Sequence, residues 1–321
     1  MQQGFHVMSD VPQPRVTIAL CTYNGAQHLE AQLASYLAQT YTAWDLWISD
    51  DGSSDRTRAL LEAFAKAHSH QHAIRIVTGP QKGVAANFLS LLCHPEFPEA
   101  PCALSDQDDV WLPEKLALGM AALPSNHPCL YGAQSVQTNA ALVPLARGPQ
   151  RGHKRPMSPS FANALVQNIV SGHSAMLNAP ALALVRAAGV PPNIPYHDWW
   201  LYQLVTGAGG RIIVRAQEVL LYRQHSQNTM GANQGVRARL RRAAQLFGAT
   251  YGAWLAANTA ALRHVERLLT PEAQSTLKAM ELAPKQIFAL KRLSTLRHHG
   301  IQRHSRLGTA ALWMSVLLGR C

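Results

Sequence analysis

Four short apolar runs constrain this chain more than any other feature: Val16-Thr17-Ile18-Ala19-Leu20, Leu46-Trp47-Ile48-Ser49, Ile74-Arg75-Ile76-Val77 and Cys102-Ala103-Leu104. Each is too short for a buried helix, is bounded by polar or turn residues, and reads as a buried strand. Between them lie segments with helical spacing. Leu29, Leu33, Tyr36 and Leu37 share one face, Leu60, Leu61 and Phe64 another, and Val84 to Leu92 forms a third helix. Ser54 or Asp55 is placed to cap the second of these. Strand and helix in alternation predict a parallel α/β sheet, and such sheets bind ligands beyond the carboxyl ends of their strands. Three polar clusters fall at such ends: Cys21 to Gly25, Asp50 to Asp55 and Ser105 to Trp111.

The third cluster, Ser105-Asp106-Gln107-Asp108-Asp109-Val110-Trp111, carries three carboxylates within four residues. Acids at this density repel one another, and behind a buried strand they call for a counter-charge. A hard divalent cation suits that need. Mg²⁺ takes only one or two protein carboxylates and completes its shell with water and phosphate oxygens, so the run suggests a metal–diphosphate site rather than a closed cage. Carboxylates two apart in a turn can reach the sugar of a nucleoside and the metal that bridges its phosphates.

Asp50-Asp51-Gly52 could be no more than a turn with a helix cap, yet two adjacent acids exceed what a cap requires. A carboxylate in such a βα loop commonly accepts hydrogen bonds from a ribose or a base. In His197-Asp198-Trp199-Trp200 the tryptophans could be core. The alternative is an Asp whose apolar surroundings raise its pKa, as a general base requires, beside indoles that stack on a sugar ring. Arg223 and His225, in Tyr222-Arg223-Gln224-His225, could neutralise a phosphate or complete a metal shell; a lone Arg or His at a strand end is as often structural.

Beyond about residue 125 the pattern loosens. Arg147 to Ser160 reads as a mobile loop, Asn168 to Leu177 and Val219 to Arg223 as strands, and the segments from Val236 onward as mostly helical. Charge divides the chain near Gly235. Residues 1–235 hold 15 Lys/Arg and 15 Asp/Glu, whereas residues 236–321 hold 14 against three and carry the whole net charge of +11. This predicts a neutral body (1–235) and a basic helical C-terminal region (236–321). Arg237, Arg239, Arg241 and Arg242 lie near Leu240, Leu246 and Phe247, and the tail ends in Leu312-Trp313-Met314-Ser315-Val316-Leu317-Leu318, a combination suited to an anionic membrane surface. A lid or an oligomer contact is the other reading. The stretch from Leu307 to Leu318 is too short to span a bilayer, and the N-terminus shows no signal pattern. Cys21, Cys93, Cys102, Cys129 and Cys321 are odd in number with no C-x-x-C pair, and so read as thiols in a reducing, cytoplasmic setting.

Taken in order, these clusters resemble family-2 glycosyltransferases of the inverting GT-A type. The matching pieces are Val16 to Tyr23 with Asn24-Gly25, Ile48 to Ser53, Gly83-Val84 with Asn87-Phe88, Ser105 to Pro113, Asn168 to Leu177, His197 to Trp200 and Tyr222 to His225. The chain is most similar to the bacterial rhamnosyltransferase-like branch. The resemblance implies an α/β GT-A (Rossmann-like) fold: a mixed, mostly parallel sheet flanked by helices, with the C-terminal helices as an appendage. It implies that Thr22, Tyr23 and Asp51 contact the base and ribose of a nucleotide-sugar donor, that Asp106 faces the nucleoside, and that Asn24, Asp50, Asn87, Trp199 and Arg223 belong to the same binding set. Asp108, with His225, would hold Mg²⁺ or Mn²⁺ against the diphosphate. Asp198 stands in the place of the catalytic base, although His197 precedes it where many members carry Glu. The implied reaction moves a sugar, with dTDP-L-rhamnose preferred over a UDP-sugar as donor, to a hydroxyl of a lipid-linked or polysaccharide acceptor. It would take place in the cytoplasm, peripheral to the inner face of the plasma membrane, and without a nucleic-acid partner.

Two rival classes share some of these features. A sugar-nucleotide nucleotidyltransferase would want a Gly-rich, basic loop after the first strand, which Cys21 to Gln27 lacks. A non-catalytic glycan- or nucleic-acid-binding protein would account for the tail and the tryptophans, but the acidic clusters would repel a phosphate backbone.

Overall fold

The computed structural model of the chain describes residues 13–145, 159–224, 249–282 and 289–318. His225, Cys321, Arg237 to Phe247 and nearly all of the Arg147–Ser160 stretch lie outside them.

Eight strands form one sheet in the order β3-β2-β1-β4-β7-β6-β8-β5. They are β1 (Val16–Thr22), β2 (Trp44–Asp50), β3 (Ile74–Thr78), β4 (Cys102–Ser105), β5 (Val110–Trp111), β6 (Cys129–Thr138), β7 (Met176–Leu177) and β8 (Arg211–Arg223). The four runs predicted as strands are β1 to β4, and all four run parallel. Every residue of β1 is buried, as a central strand covered on both faces requires. Helices α1 (Leu29–Leu37), α2 (Thr57–His68) and α3 (Val84–Leu92) are the crossovers between them.

The second half departs from the sequence reading. Only Met176–Leu177 of the Asn168–Leu177 stretch is a strand; a 3-10 turn, Gly172–Ser174, precedes it. β8 begins eight residues before Val219, and β6 was not anticipated. β7 runs antiparallel to both β4 and β6. An antiparallel strand delivers its entry, rather than its exit, to the carboxyl end of its neighbour. The Leu104 N–H donating to Ala175 O at 2.9 Å fixes that approach, so the Gly172–Ser174 turn stands beside the acidic run. The run is itself the turn between β4 and β5, and β5 pairs antiparallel with β8.

The remaining helices are α4 (Lys115–Ala122), α5 (Phe161–Ala164), α6 (Ala179–Ala188), α7 (His197–Gly207), α8 (Ala249–His264), α9 (Pro271–Leu282), α10 (Ala289–His298) and α11 (Arg306–Leu317). Leu255, Leu262, Leu277, Leu296, Leu312 and Val316 from the last four join the same apolar cluster as Trp199 and Trp200 of α7. Polar contacts reinforce the junction: Tyr251 Oη and Arg303 Nη1 both donate to Val166 O, at 2.6 and 2.7 Å. The change in charge near residue 235 is therefore not a division of the core.

Candidate active site

The register of β1 against its neighbours assembles the site. Thr22 pairs with Asp50 and Leu20 with Ser105, so the three loops leave the sheet side by side. The Thr22 hydroxyl donates to Asp50 Oδ1 at 2.8 Å, and Asp50 also accepts from the Ser53 N–H and hydroxyl, at 3.1 and 2.6 Å. Asn24, held at a left-handed φ of 49°, accepts the Ser54 N–H at 2.8 Å and donates its own N–H to Ser53 Oγ. Asp51 accepts two backbone N–H groups from the β3–α3 loop, Gln81 at 2.6 Å and Gly83 at 3.0 Å. Thr22, Asn24, Asp50 and Asp51 thus form a braced rim. Tyr23, 59% exposed, is the member of the set that presents its side chain to solvent.

Asn87 is 2% exposed; its amide donates to Ser49 O and accepts the Ser49 hydroxyl, so its hydrogen-bonding capacity serves to tie α3 to β2. Trp199 and Trp200 are core residues, 4% and 0% exposed, and Trp199 Nε1 donates to Ala164 O at 2.6 Å. This corrects the expectation that an indole here stacks on a sugar: α7 enters the core at its first turn and takes both rings with it. The Arg223 guanidinium donates to Asp108 O at 3.0 Å and also to Ala140 O. It clamps the backbone of the acidic turn, a structural task that the sequence left open.

Gln107 was overlooked. Its side-chain amide pairs with the Tyr23 backbone at both ends, Tyr23 N–H to Oε1 at 2.8 Å and Nε2–H to Tyr23 O at 2.9 Å. A Cβ on Gly25 would come within 2.2 Å of Gln107 Oε1, so glycine there lets the amide dock. Replacing Gln107 with Ala frees the β1–α1 loop at a cost of about 1 kcal/mol per lost bond. The expected result is an increase of about tenfold or more in donor KM with a smaller change in kcat, measured by steady-state kinetics.

Charge concentrates in the acidic turn. Burial, then Asp108 and Asp198, push the Asp106 carboxyl well above the usual carboxylate range, while Lys115 pulls it down. Asp109 is fully buried, and burial with Asp108 and Asp106 drives it up as well, against Lys115 and the Arg223 backbone N–H. Lys115 of α4 is also fully buried. Its Nζ donates to His173 O at 2.6 Å and sits 3.5 Å from the centre of the Trp111 ring. Burial holds the Lys115 amine well below the usual lysine range, against the pull of Asp109 and Asp106; a buried lysine among such carboxylates has no periodic signature, and the sequence reading missed it.

Asp198 lies in the first turn of α7. It accepts the Trp199 N–H at 2.7 Å and the Gly172 N–H at 3.0 Å, and Asn168 bonds it as well. Burial nonetheless raises it to about 6, against the pull of these donors. His197 stacks on Phe88 with centroids 4.1 Å apart, and burial holds it down at about 3. Gly172 is where they meet: a Cβ there would lie 2.6 Å from His197 Nε2. His197 therefore packs, as a neutral ring, behind Asp198. Cys21 feels the charges of Asp106 and Asp51, and Asp106 feels Asp198. Acids from two loops and the first turn of α7 thus share one electrostatic neighbourhood at the end of β1.

The donor set fits a divalent cation. Asp106, Asp109 and His173 each bring a ligand atom within 4.8 Å of the others. Burial, Lys115 and His197 hold His173 down at about 3, leaving its ring neutral and able to ligate. The expected pair was Asp108 with His225; His225 is outside the described residues, and His173 had not been considered.

The glycosyl transferase family 2 model matches residues 17–182, just over half of the chain, from the second residue of β1 through β7 and into α6. The chain belongs to glycosyl transferase family 2. It is 26% identical over 231 residues to the dTDP-rhamnosyl transferase RfbG of Shigella flexneri, covering 70% of this chain and 77% of that one. It is 30% identical over 140 residues to the Escherichia coli UDP-Glc:alpha-D-GlcNAc-diphosphoundecaprenol beta-1,3-glucosyltransferase WfgD, covering 42% and 52%. Among solved structures it resembles the mannosyltransferase PcManGT of Pyrobaculum calidifontis in complex with GDP-Man and Mn²⁺, with a TM-score of 0.52 at 19% identity over 96% of this chain and 86% of that one. It also resembles S. aureus TarS 1–349 in complex with UDP-GlcNAc, with a TM-score of 0.53 at 14% identity over 94% and 90%. The fold is that of the GT-A glycosyltransferases, and the enzyme is a glycosyltransferase.

Proposed function

We propose that this glycosyltransferase moves L-rhamnose from dTDP-L-rhamnose to a hydroxyl of a lipid-linked or polysaccharide acceptor, with inversion at the anomeric carbon. The observation that carries the reading is Asp198: a half-buried carboxylate, raised to about 6, at the start of a helix and within electrostatic reach of the acidic turn. At neutral pH it is the base that takes the acceptor proton as the oxygen attacks. Two backbone N–H groups fix its direction, so the proton is received without reorganisation of the site. Tyr23, Asp51 and the braced rim take the base and ribose. Asp106, Asp108, Asp109 and His173 would hold Mg²⁺ or Mn²⁺, which when bound supplies positive charge against the departing diphosphate. The RfbG relative, named for dTDP-rhamnose, supports the choice of donor.

Thermal-shift measurements with dTDP, UDP and GDP, each with Mn²⁺ and then with excess EDTA, test this. dTDP with Mn²⁺ at about 100 times its Kd is expected to stabilise the protein by about 2.7 kcal/mol, a rise in Tm of a few degrees, and EDTA to abolish most of it. A response to UDP alone would redirect the donor to a UDP-sugar, and no response to any nucleotide would overturn the reading.

A further inference from the structure

Helix α11 is apolar on two opposite faces. Thr309, Leu312, Ser315 and Val316 are buried against the core. Leu307, Ala310, Met314 and Leu318, spaced at helical intervals, make the opposite stripe, and Leu307, Met314 and Leu318 are 83%, 50% and 57% exposed. A contiguous apolar stripe left on the surface marks an interaction site. α10 packs beside it, the Arg292 guanidinium donating to Val316 O at 3.3 Å and Arg297 lying 5.7 Å from the centre of the Trp313 ring. α10 adds Leu290, 82% exposed, together with exposed Lys291 and Arg297, and Arg306 stands exposed at the start of α11. Residues 283–321 contain seven Lys/Arg and no Asp or Glu.

We infer that the exposed face of the α10–α11 hairpin docks on an anionic lipid surface, the apolar stripe entering the headgroup boundary and the cations flanking it meeting phosphate. Charge selects this occupant. A second copy of the same face would set cation against cation with no acid to answer it. A nucleic acid would be served by the cations and leave the leucines and methionine uncovered. No helix among the described residues is long and apolar enough to cross a membrane, so the hairpin lies on the surface. Within the C-terminal apolar run, Leu312 and Val316 face inward, whereas Met314 and Leu318 face outward.

Co-sedimentation of the full chain with vesicles decides the matter. Binding is expected to vesicles containing phosphatidylglycerol, not to phosphatidylcholine alone, and to weaken as salt is raised. The triple variant Leu307→Gln, Met314→Gln, Leu318→Gln, whose positions are outside the core, is expected to bind about tenfold more weakly or worse. Its nucleotide-dependent thermal shift should stay at the wild-type value, which separates this inference from the donor assignment. Wild-type protein left in the supernatant would overturn the proposal, as would a triple variant that binds unchanged. So would a dimer in sedimentation velocity that the triple variant abolishes.

Discussion

Asp198→Asn is expected to lower kcat by about 10²–10⁴-fold, the usual contribution of a positioned general base, while leaving donor-nucleotide affinity near wild type. Asn keeps the size of the side chain and one oxygen to accept the Gly172 or Trp199 N–H, so the start of α7 is retained and only proton acceptance is lost. The same residue sets the pH dependence. Burial favours the neutral form, and Asp198 is held at about 6. Below that value it is protonated and cannot act as a base; above it the base is ready. The wild-type kcat should therefore fall about tenfold per pH unit below about pH 6, and the residual rate of the variant should lack this limb. A variant that loses donor affinity in step with turnover, or a wild-type profile flat through that region, would remove Asp198 from the role.

Lys115→Met should produce the largest loss of stability. Removing one partner of a buried charged set costs about 3–5 kcal/mol, because the other is stranded. Here the stranded group is Asp109, fully buried beside Asp106 and Asp108. The sign of the pH dependence follows. A carboxyl raised in the folded state favours folding at low pH, and that stability is lost as pH rises through its folded pKa. Burial already raises Asp109, and removing Lys115, which pulls it down, raises it further. The deficit of the variant, measured by urea unfolding, should thus be larger at about pH 8 than at about pH 5. Asp109→Leu in the same chain should recover much of it. An equal deficit at both pH values would mean that only packing against Trp111 was lost.

The first half of the molecule was legible because its information is local. β1 to β4 and their crossovers follow from runs of apolar residues and from period, and parallel order follows from alternation. The polar clusters at the strand ends could be named for the same reason. The second half was less so. Asn168 to Leu177 has the composition of a strand, but most of it is irregular backbone around a 3-10 turn whose Gly172 N–H and His173 carbonyl serve Asp198 and Lys115. Chemically plausible residues were also misjudged where burial overrode type. Trp199 and Asn87 carry ligand-binding side chains, yet the core claims the first and Ser49 the second.

From its residues alone the chain dictated a parallel α/β core, acids at the ends of β2 and β4, and a base candidate at position 198. Those consequences rest on short-range order and on where apolar runs stop. Only the tertiary structure decided that β7 runs antiparallel and brings His173 and Gly172 to the acids, that Lys115 is buried among them, and which face of α11 is left bare. Each of these depends on residues far apart in the chain competing for the same space and the same charge. That competition is settled by packing and desolvation, which leave no periodic trace in a sequence.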